Sequence, residues 1–403
     1  MRPAPPSRFE LPERHRGLFD PRDRQLLLAH VEAMLSQPTA PYAEDGPLER
    51  VREFARDRAG FTLAVDAHAN QVLSWNGSGR AGAAPVLAFS AHLDHPGFHY
   101  LGEERGTHRA SFHGGVPLER FAGAALRLFD PSTGEARATA RVRSVRRESD
   151  GAVVAELEEL EGQARPGLFG AWDLTPGELR DGQLLSRACD DLAGAAAILC
   201  ALEILAREDH PGRILGIFTR AEETGFVGCQ SLLRSGVLEP ETRVVGLECS
   251  AARPSARVGE GPVIRVGDAA SVFDPAITHH LQEAAAALCD EHEGFRFQRA
   301  LMDGGRCEST AYNLGSVRAG GLCLALGNYH NCAEAGGIAP ELVAWDDCEG
   351  LLALILAAAR SWGSTDAEAR MRERLDRVWE REYKSLAESS ARLLGARPAA
   401  ERA

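Results

Sequence analysis

Residues 85–91 are apolar with no polar alternation, the pattern of a strand buried on both faces of a mostly parallel sheet, and the run ends in His92-Leu-Asp94. Similar short runs recur at 214–218, 244–247 and 321–326, with helical patterns at 191–206 and 276–290 between them. Near the start, Asp20-Pro21 opens a helix with Asp at the N-cap and Pro at the first helical position, ahead of Leu26, Leu27 and Leu28. A second helix is expected over 47–58. From 105 to 178 the texture changes. Strand-like pieces at 125–129, 138–145 and 153–157 are separated by turn residues at 131–134 and by Asp150-Gly151, a hairpin signal. This order predicts an α/β fold, a mostly parallel sheet with helices on both faces, interrupted by a small all-β domain.

The organisation that follows is a flexible N-terminal arm (1–20), an α/β domain in two segments (21–104 and 179–362), an inserted β domain (105–178) and a C-terminal helix and tail (363–403). The tail reads as one amphipathic helix over 365–394. Thr365 and Glu368 form its capping box, Gly395 ends it, and Met371, Leu375, Val378, Trp379, Tyr383 and Leu386 make an apolar stripe. That stripe packs against the body or, as the second reading, against another subunit.

Composition narrows the classes. Apolar residues make up 44% of the 403 and charged residues 26%, the balance of a soluble globular protein. The longest apolar stretches, 193–205 and 351–359, fall short of the roughly 20 residues that span a bilayer. A net charge of −13 disfavours nucleic acid and anionic membrane as partners, since both need a basic footprint. The first 20 residues are rich in Pro and Arg and hold no apolar h-region, and the nine cysteines include no C-x-x-C pair, so reduced thiols and a cytoplasmic location are expected.

The chemistry sits where the apolar strands end: His92 and Asp94 after the first, Glu222-Glu223 after the second, Glu248 after the third and His330 after the fourth. Asp190-Asp191 lies just before a helix. Ligands of open α/β sheets bind beyond the carboxyl ends of the strands, so these groups converge although they are far apart in sequence. Each group alone occurs often by chance; carboxylates repeated at buried strand ends with two histidines do not. Imidazole and carboxylate suit zinc, cobalt or manganese. Five residues, His92, Asp190, Glu223, Glu248 and His330, are therefore expected to hold two divalent ions, with Asp190 as the bridge. Asp94 is expected to accept the second ring N–H of His92, and Glu222 to act as general base. Less weight falls on His95 and His99 (surface or supporting), on His113 and Gly114-Gly115 (a turn), and on His279 and His280 (solvent-facing or capped). The 303–309 loop is a candidate substrate contact. Cys189 has no base that would make it a nucleophile.

At these residues the chain resembles the tetrahedral and glutamyl aminopeptidases, peptidase family forty-two of the di-zinc metallopeptidases. The resemblance rests on Ala91-His92-Leu-Asp94-His-Pro-Gly97-Phe98, on Asp190-Asp191-Leu-Ala-Gly194 and on Glu222-Glu223-Thr-Gly225. It implies a metallo-aminopeptidase-like fold, metal positions at the five residues above, a base at Glu222, an inserted β domain used for oligomerisation, and a dimer or a shell of twelve subunits. The long insertion falls between the first two ligand positions, as in that family. Glu248 stands where the family often has Asp, and the segments 306–309 and 326–331 depart from its usual loops. The function expected is an aminopeptidase releasing N-terminal residues from peptides. A small-molecule amidohydrolase or deacylase on the same site is the alternative, and a metal-free peptidase-like scaffold is the second.

Overall fold

The computed structural model describes residues 9–13, 16–77, 85–363 and 367–394. The chain divides into two units, Met1–Trp362 and Gly363–Ala403. In the first, a nine-stranded sheet is built around four parallel strands in the order Arg213–Thr219, Leu87–His92, Arg243–Gly246 and Ala319–Leu326. The second and fourth of these are buried at every residue, which is why they read as unbroken apolar runs. Antiparallel strands Gln71–Asn76 and Val263–Asp268 flank the parallel core. Helix Leu192–Arg207 packs into it with 13 buried residues, and helix Trp345–Ser361 with another 13.

Six antiparallel strands from Gly97–Glu104 to Phe169–Trp172 close into a barrel. Strand Ala136–Arg147 shows how: Ala138, Ala140 and Val142 point inward while Arg137, Arg141 and Arg143 face out, the period of two that fits one apolar and one solvated face. Inside, Phe98, Phe112, Phe121 and Trp172 meet edge to face, with centroids 4.7 Å apart for Phe112–Phe121 and 4.8 Å for Phe98–Trp172. The barrel has its own core and begins at Gly97, not near 105. A register shift between Tyr100 and Gly102 breaks the alternation that would have marked Gly97–Glu104 as a strand.

One other expectation needs correction. Where the arm is described it is held: Phe9, Leu11, Leu18 and Phe19 pack on the core, Phe9 bridges to Leu179, and Arg16 donates to the Gly259 carbonyl at 2.6 Å and to Asp346 at 3.2 Å. Apolar residues spaced through the segment, not its Pro and Arg content, decide its behaviour. Of the two expectations for the histidine pair, the capped one describes His280, which is buried 2.9 Å from the Ala358 carbonyl and edge-on to Trp362 at 4.9 Å, while His279 lies 3.3 Å from Glu283. All nine cysteines are free. None of the described helices is long and apolar enough to cross a membrane.

The second unit is helix Ala367–Leu393, with Met371, Leu375, Val378, Trp379, Tyr383 and Leu386 all exposed. Thr365, the Glu368 side chain and Gly395 lie outside what is described.

Phe121 is fully buried at the centre of the barrel's aromatic cluster. Phe121→Ala is expected to cost about 3–5 kcal/mol of stability, read as a lowered urea midpoint; a change under about 1 kcal/mol would contradict this packing.

Candidate metal centre

The four parallel strands point the same way, and the fourth runs on to Leu326, past its pairing with the end of the third at Gly321. Thr219 is in register with His92, and Gly246 with both Ser90 and Gly321. Whatever follows each strand is therefore delivered to one edge of the sheet, and all five expected ligands arrive there. Asp190 lies between the two imidazoles, its Oδ1 3.5 Å from His92 Nε2 and its Oδ2 3.7 Å from His330 Nε2. Glu248 lies 3.6 Å from His92 Nε2, and Glu223 3.0 Å from His330 Nε2. Two triads result, His92–Asp190–Glu248 and Asp190–Glu223–His330, each with its ligand atoms within 4.8 Å of one another.

The outer nitrogens of both imidazoles are occupied. His92 Nδ1 lies 3.0 Å from the backbone carbonyl of Asp94, and His330 Nδ1 lies 3.0 Å from that of Gly115. A proton donated from each Nδ1 leaves each Nε2 as a lone pair facing the cluster. The expected contact from the Asp94 carboxylate to His92 is not made as a hydrogen bond, since the distance is 3.7 Å. Instead Asp94 accepts the backbone N–H of Glu222 at 2.9 Å and of Glu223 at 3.0 Å. These two donors open a turn that has no capping side chain of its own, so Asp94 caps it and sets both glutamates.

Further supports come from residues that the strand-end pattern passes over. Glu341, fully buried, accepts the N–H of Cys189 at 2.8 Å and of Asp190 at 3.2 Å on one oxygen, and that of His330 at 3.0 Å on the other. One carboxylate thus fixes the backbone of both the proposed bridge and the last histidine. Glu44 does the same for the turn before Glu222, accepting from Tyr42, Arg220 and Ala221 at 2.8–3.0 Å. His95 is buried and supporting, with Nδ1 2.8 Å from the Asp190 carbonyl and Nε2 3.0 Å from Asn331 Oδ1. His99, half-buried, lies 2.7 Å from the Pro41 carbonyl. Gly194 has no side chain because a Cβ there would sit 2.4 Å from the Asp191 carboxylate, which folds back over its own helix start. Tyr329 stacks on His330 with centroids 3.8 Å apart.

The 303–309 segment divides. Gly304, Gly305 and Arg306 line a pocket that opens beside Glu248 and is also bounded by Arg253, Arg265 and Tyr329. Glu308 turns away into the core, accepting from Thr219 at 2.8 Å and Ser90 at 3.4 Å, and burial pushes its carboxyl up to about 8. The Cys249 thiol meets Asp191 at 3.7 Å and is likewise pushed up by burial, so it is a buried donor and not a thiolate.

The donor set fits a pair of divalent cations. Asp190, Asp191, Glu222 and Glu248 are buried side by side, a crowding of negative charge that is costly without a compensating cation. Glu223 Oε1 is buried and takes no hydrogen bond, although His330 Nε2 is only 3.0 Å away. Two polar atoms that close but misaligned are arranged as ligands of a shared ion would be, and imidazole with carboxylate is the chemistry of zinc, cobalt or manganese sites. Burial raises the Glu222 carboxyl well above its ordinary range, helped by Glu248, Glu223 and Asp94 and opposed by His92. Burial pulls both cluster imidazoles down, but the carboxylates around them more than offset it, and His92 and His330 are held well above the usual 6.5.

A parallel sheet with strand-end imidazoles and carboxylates, carrying a barrel between the first two of them, defines the class: a metallo-aminopeptidase-type fold. Residues 150–338 match the model of the M42 glutamyl aminopeptidase family, which supports the resemblance drawn from the motifs. No curated protein matches the chain by sequence. Among solved structures, the TET1 peptidase of Pyrococcus horikoshii is 18% identical with a TM-score of 0.67, covering 83% of this chain and 99% of its own. An aminopeptidase from Desulfurococcus kamchatkensis is also 18% identical at 0.67, covering 86% and 96%. A Thermotoga maritima protein described as an endoglucanase is 16% identical at 0.62, covering 84% and 98%. These likenesses show the fold; the family match, taken with it, supports a peptide-bond hydrolase.

Two outcomes are expected. Glu341→Gln should lower zinc affinity about 10- to 100-fold in a competition titration while the fold is kept, because an amide N–H₂ then faces backbone donors; unchanged affinity would remove Glu341 from the site. The second concerns pH. The raised imidazole pKa values contribute stability to the metal-free fold below about pH 6.5, and that contribution is lost as pH rises through them. Ligation requires neutral imidazole, so the gain in Tm on adding zinc should be larger near pH 8 than near pH 6. A gain that does not depend on pH would contradict the assignment of His92 and His330.

Proposed function

We propose that this protein is a di-metal aminopeptidase in which His92 and Glu248 hold one divalent ion, His330 and Glu223 the other, and Asp190 bridges them. The observation that carries the reading is the pair of imidazole–carboxylate triads sharing Asp190. When bound, the two ions polarise the scissile carbonyl and make water a nucleophile near neutral pH.

The chain's own residues supply the rest. Glu222 belongs to neither triad and lies next to both, with a carboxylate oxygen within 4.8 Å of ligand atoms of His92 and Glu223. It is the group that takes a proton from the attacking water on a carboxylate oxygen and passes it to the leaving amine nitrogen. Asp94 keeps Glu222 in reach through its backbone N–H. The pocket beside Glu248 supports a preference for an acidic substrate group. Arg253, Arg265 and Arg306 line it, and Arg265 is buried with its Nε unpaired, suited to a carboxylate. Zinc is the ion favoured by the donor set, and free cysteines throughout favour the cytoplasm. The Pyrococcus relative assembles into a tetrahedron or a large octahedral shell, and a homo-oligomer built through the barrel is proposed here by analogy.

The test is hydrolysis of aminoacyl-nitroanilides by zinc-loaded protein. Glutamyl and aspartyl substrates are expected to exceed leucyl and lysyl ones. Glu222→Gln should lower kcat by about 10²-fold or more with metal retained, and Arg306→Ala should raise KM for the acidic substrates. Cleavage of N-acyl amino acids, with every free-amine substrate inert, would replace the aminopeptidase by a deacylase on the same site. Failure to bind metal would leave a scaffold.

A further inference from the structure

Where the chain leaves the barrel and returns to the α/β layers it borders a second pocket, of about 510 Å³, within the roughly 300–1,000 Å³ of small-molecule sites. It shares no lining residue with the pocket beside Glu248. Arg127 and Phe129 come from barrel strand Ala125–Phe129, Asp173 to Pro176 and Glu178 from the returning segment, and Arg187 follows strand Gln183–Ser186. These walls are tied together. The Arg187 N–H donates to the Thr175 carbonyl at 2.8 Å, and the Ser186 hydroxyl to the Pro176 carbonyl at 2.6 Å. The pocket is therefore held in shape by the chain itself, which lowers the ordering cost of binding.

Arg187 is the residue that calls for a ligand. It is only 7% exposed, its one hydrogen bond among the described residues runs from Nη2 to the Ser36 carbonyl at 3.2 Å, and its Nε is buried without a partner. Arg24, equally buried, is matched by Glu349 at 2.7 Å. No carboxylate among the described residues pairs with Arg187 in that way. A buried guanidinium without an anion is costly, and this one rests on the Phe129 ring, 5.2 Å from its centroid. Burial pulls it down to about 10, with Arg127 adding to the pull and Asp173 opposing it, so it is still a cation at neutral pH. The other arginine is already paired, donating from Nε at 3.0 Å and Nη2 at 2.7 Å to Asp173 Oδ1. Glu178 has Arg180 at 3.5 Å, an exposed partner that contributes little. One unmatched cation and one weakly held carboxylate thus face the same space, with Phe129, Leu174 and Pro176 as apolar wall. A phosphate or a dicarboxylate would meet Asp173 and Glu178 as like charges, whereas a zwitterion satisfies both ends.

We propose that this pocket binds a free apolar α-amino acid, its carboxylate on the Arg187 guanidinium, its ammonium group on Glu178 and its side chain against Phe129, Leu174 and Pro176. The proposal rests on the shape and charges of the pocket and depends neither on bound metal nor on the proposed activity.

The experiment is calorimetric titration of the full chain, zinc-loaded and after chelation, with leucine and phenylalanine. Three probes each lack part of the match: the N-acetyl amino acid has no ammonium group, the corresponding amine has no carboxylate, and inorganic phosphate has no apolar part. Amino-acid binding is expected to survive chelation. On the chelated protein the N-acetyl compound and the amine should bind about ten-fold more weakly or worse, and phosphate should give no heat. Arg187→Gln should weaken leucine binding about ten-fold or more and Glu178→Gln several-fold, with circular dichroism unchanged. If Arg187→Gln does not fold, Glu178→Gln and the probe series decide the matter. Binding that disappears on chelation and ignores both substitutions would put the amino acid on the metals and overturn the proposal. So would equal binding of phosphate or of the N-acetyl compound, the mark of a plain anion site, and so would an absence of binding at millimolar amino acid.

Discussion

Buried negative charge is the constraint around which the first unit is arranged. Asp94, Asp190, Asp191, Glu222, Glu248, Glu308 and Glu341 are all nine-tenths or more buried within one region. A buried carboxylate is tolerated only where donors or cations meet it; Glu308 takes the Thr219 and Ser90 hydroxyls, and two further ways serve the groups at the site. Asp94 and Glu341 are satisfied by backbone N–H groups, and Glu44 by backbone N–H groups together with the Arg220 guanidinium, so their charge organises loops. Asp190, Glu223 and Glu248 face imidazole nitrogens, and the Glu223 oxygen left without a hydrogen bond shows that protein donors alone do not complete the arrangement. The parallel strands matter because they point one way, so the residues that follow them gather at one edge of the sheet.

The two ways of satisfying a carboxylate also explain what could be read from the sequence. His92, Glu223, Glu248 and His330 stand just after runs whose burial is visible as unbroken apolar residues, so their convergence follows from the geometry of open sheets. Asp190 was legible from its place before an apolar helix. Glu341 follows a loop and opens a strand of only four residues, and its role is to accept N–H groups from residues 11 and about 150 positions away. No spacing of side chains encodes a partner that is a backbone group, and for the same reason the second nitrogen of His92 was assigned to the Asp94 side chain when it belongs to the Asp94 carbonyl.

Fold class was legible for a related reason. A strand with one dry face keeps its period of two, as in Ala136–Arg147, and one dry on both faces reads as an unbroken apolar run, as in Arg213–Thr219. These patterns fail where the backbone is irregular: the bulge at Tyr100 hid the first barrel strand, and the described part of the N-terminal arm is held by four apolar residues spaced too widely to form a period. The fold alone does not identify a substrate, since similar structures carry the names of both an aminopeptidase and an endoglucanase. That distinction rests on the arginines and the cluster.

Gly115, whose carbonyl meets His330, lies on the loop between the second and third strands of the barrel, 215 residues before its partner. A Cβ at Gly115 would come within 3.5 Å of the His330 ring. The two candidate ion positions are therefore unequal in their dependence: one imidazole is steadied by its own strand, the other by a lobe with a separate core. A force on the barrel would reach the His330 side of the centre through the Gly115 carbonyl and through Arg120, which donates to the Ala333 carbonyl at 2.7 Å, so a push on the lobe becomes a displacement along one line beside that histidine.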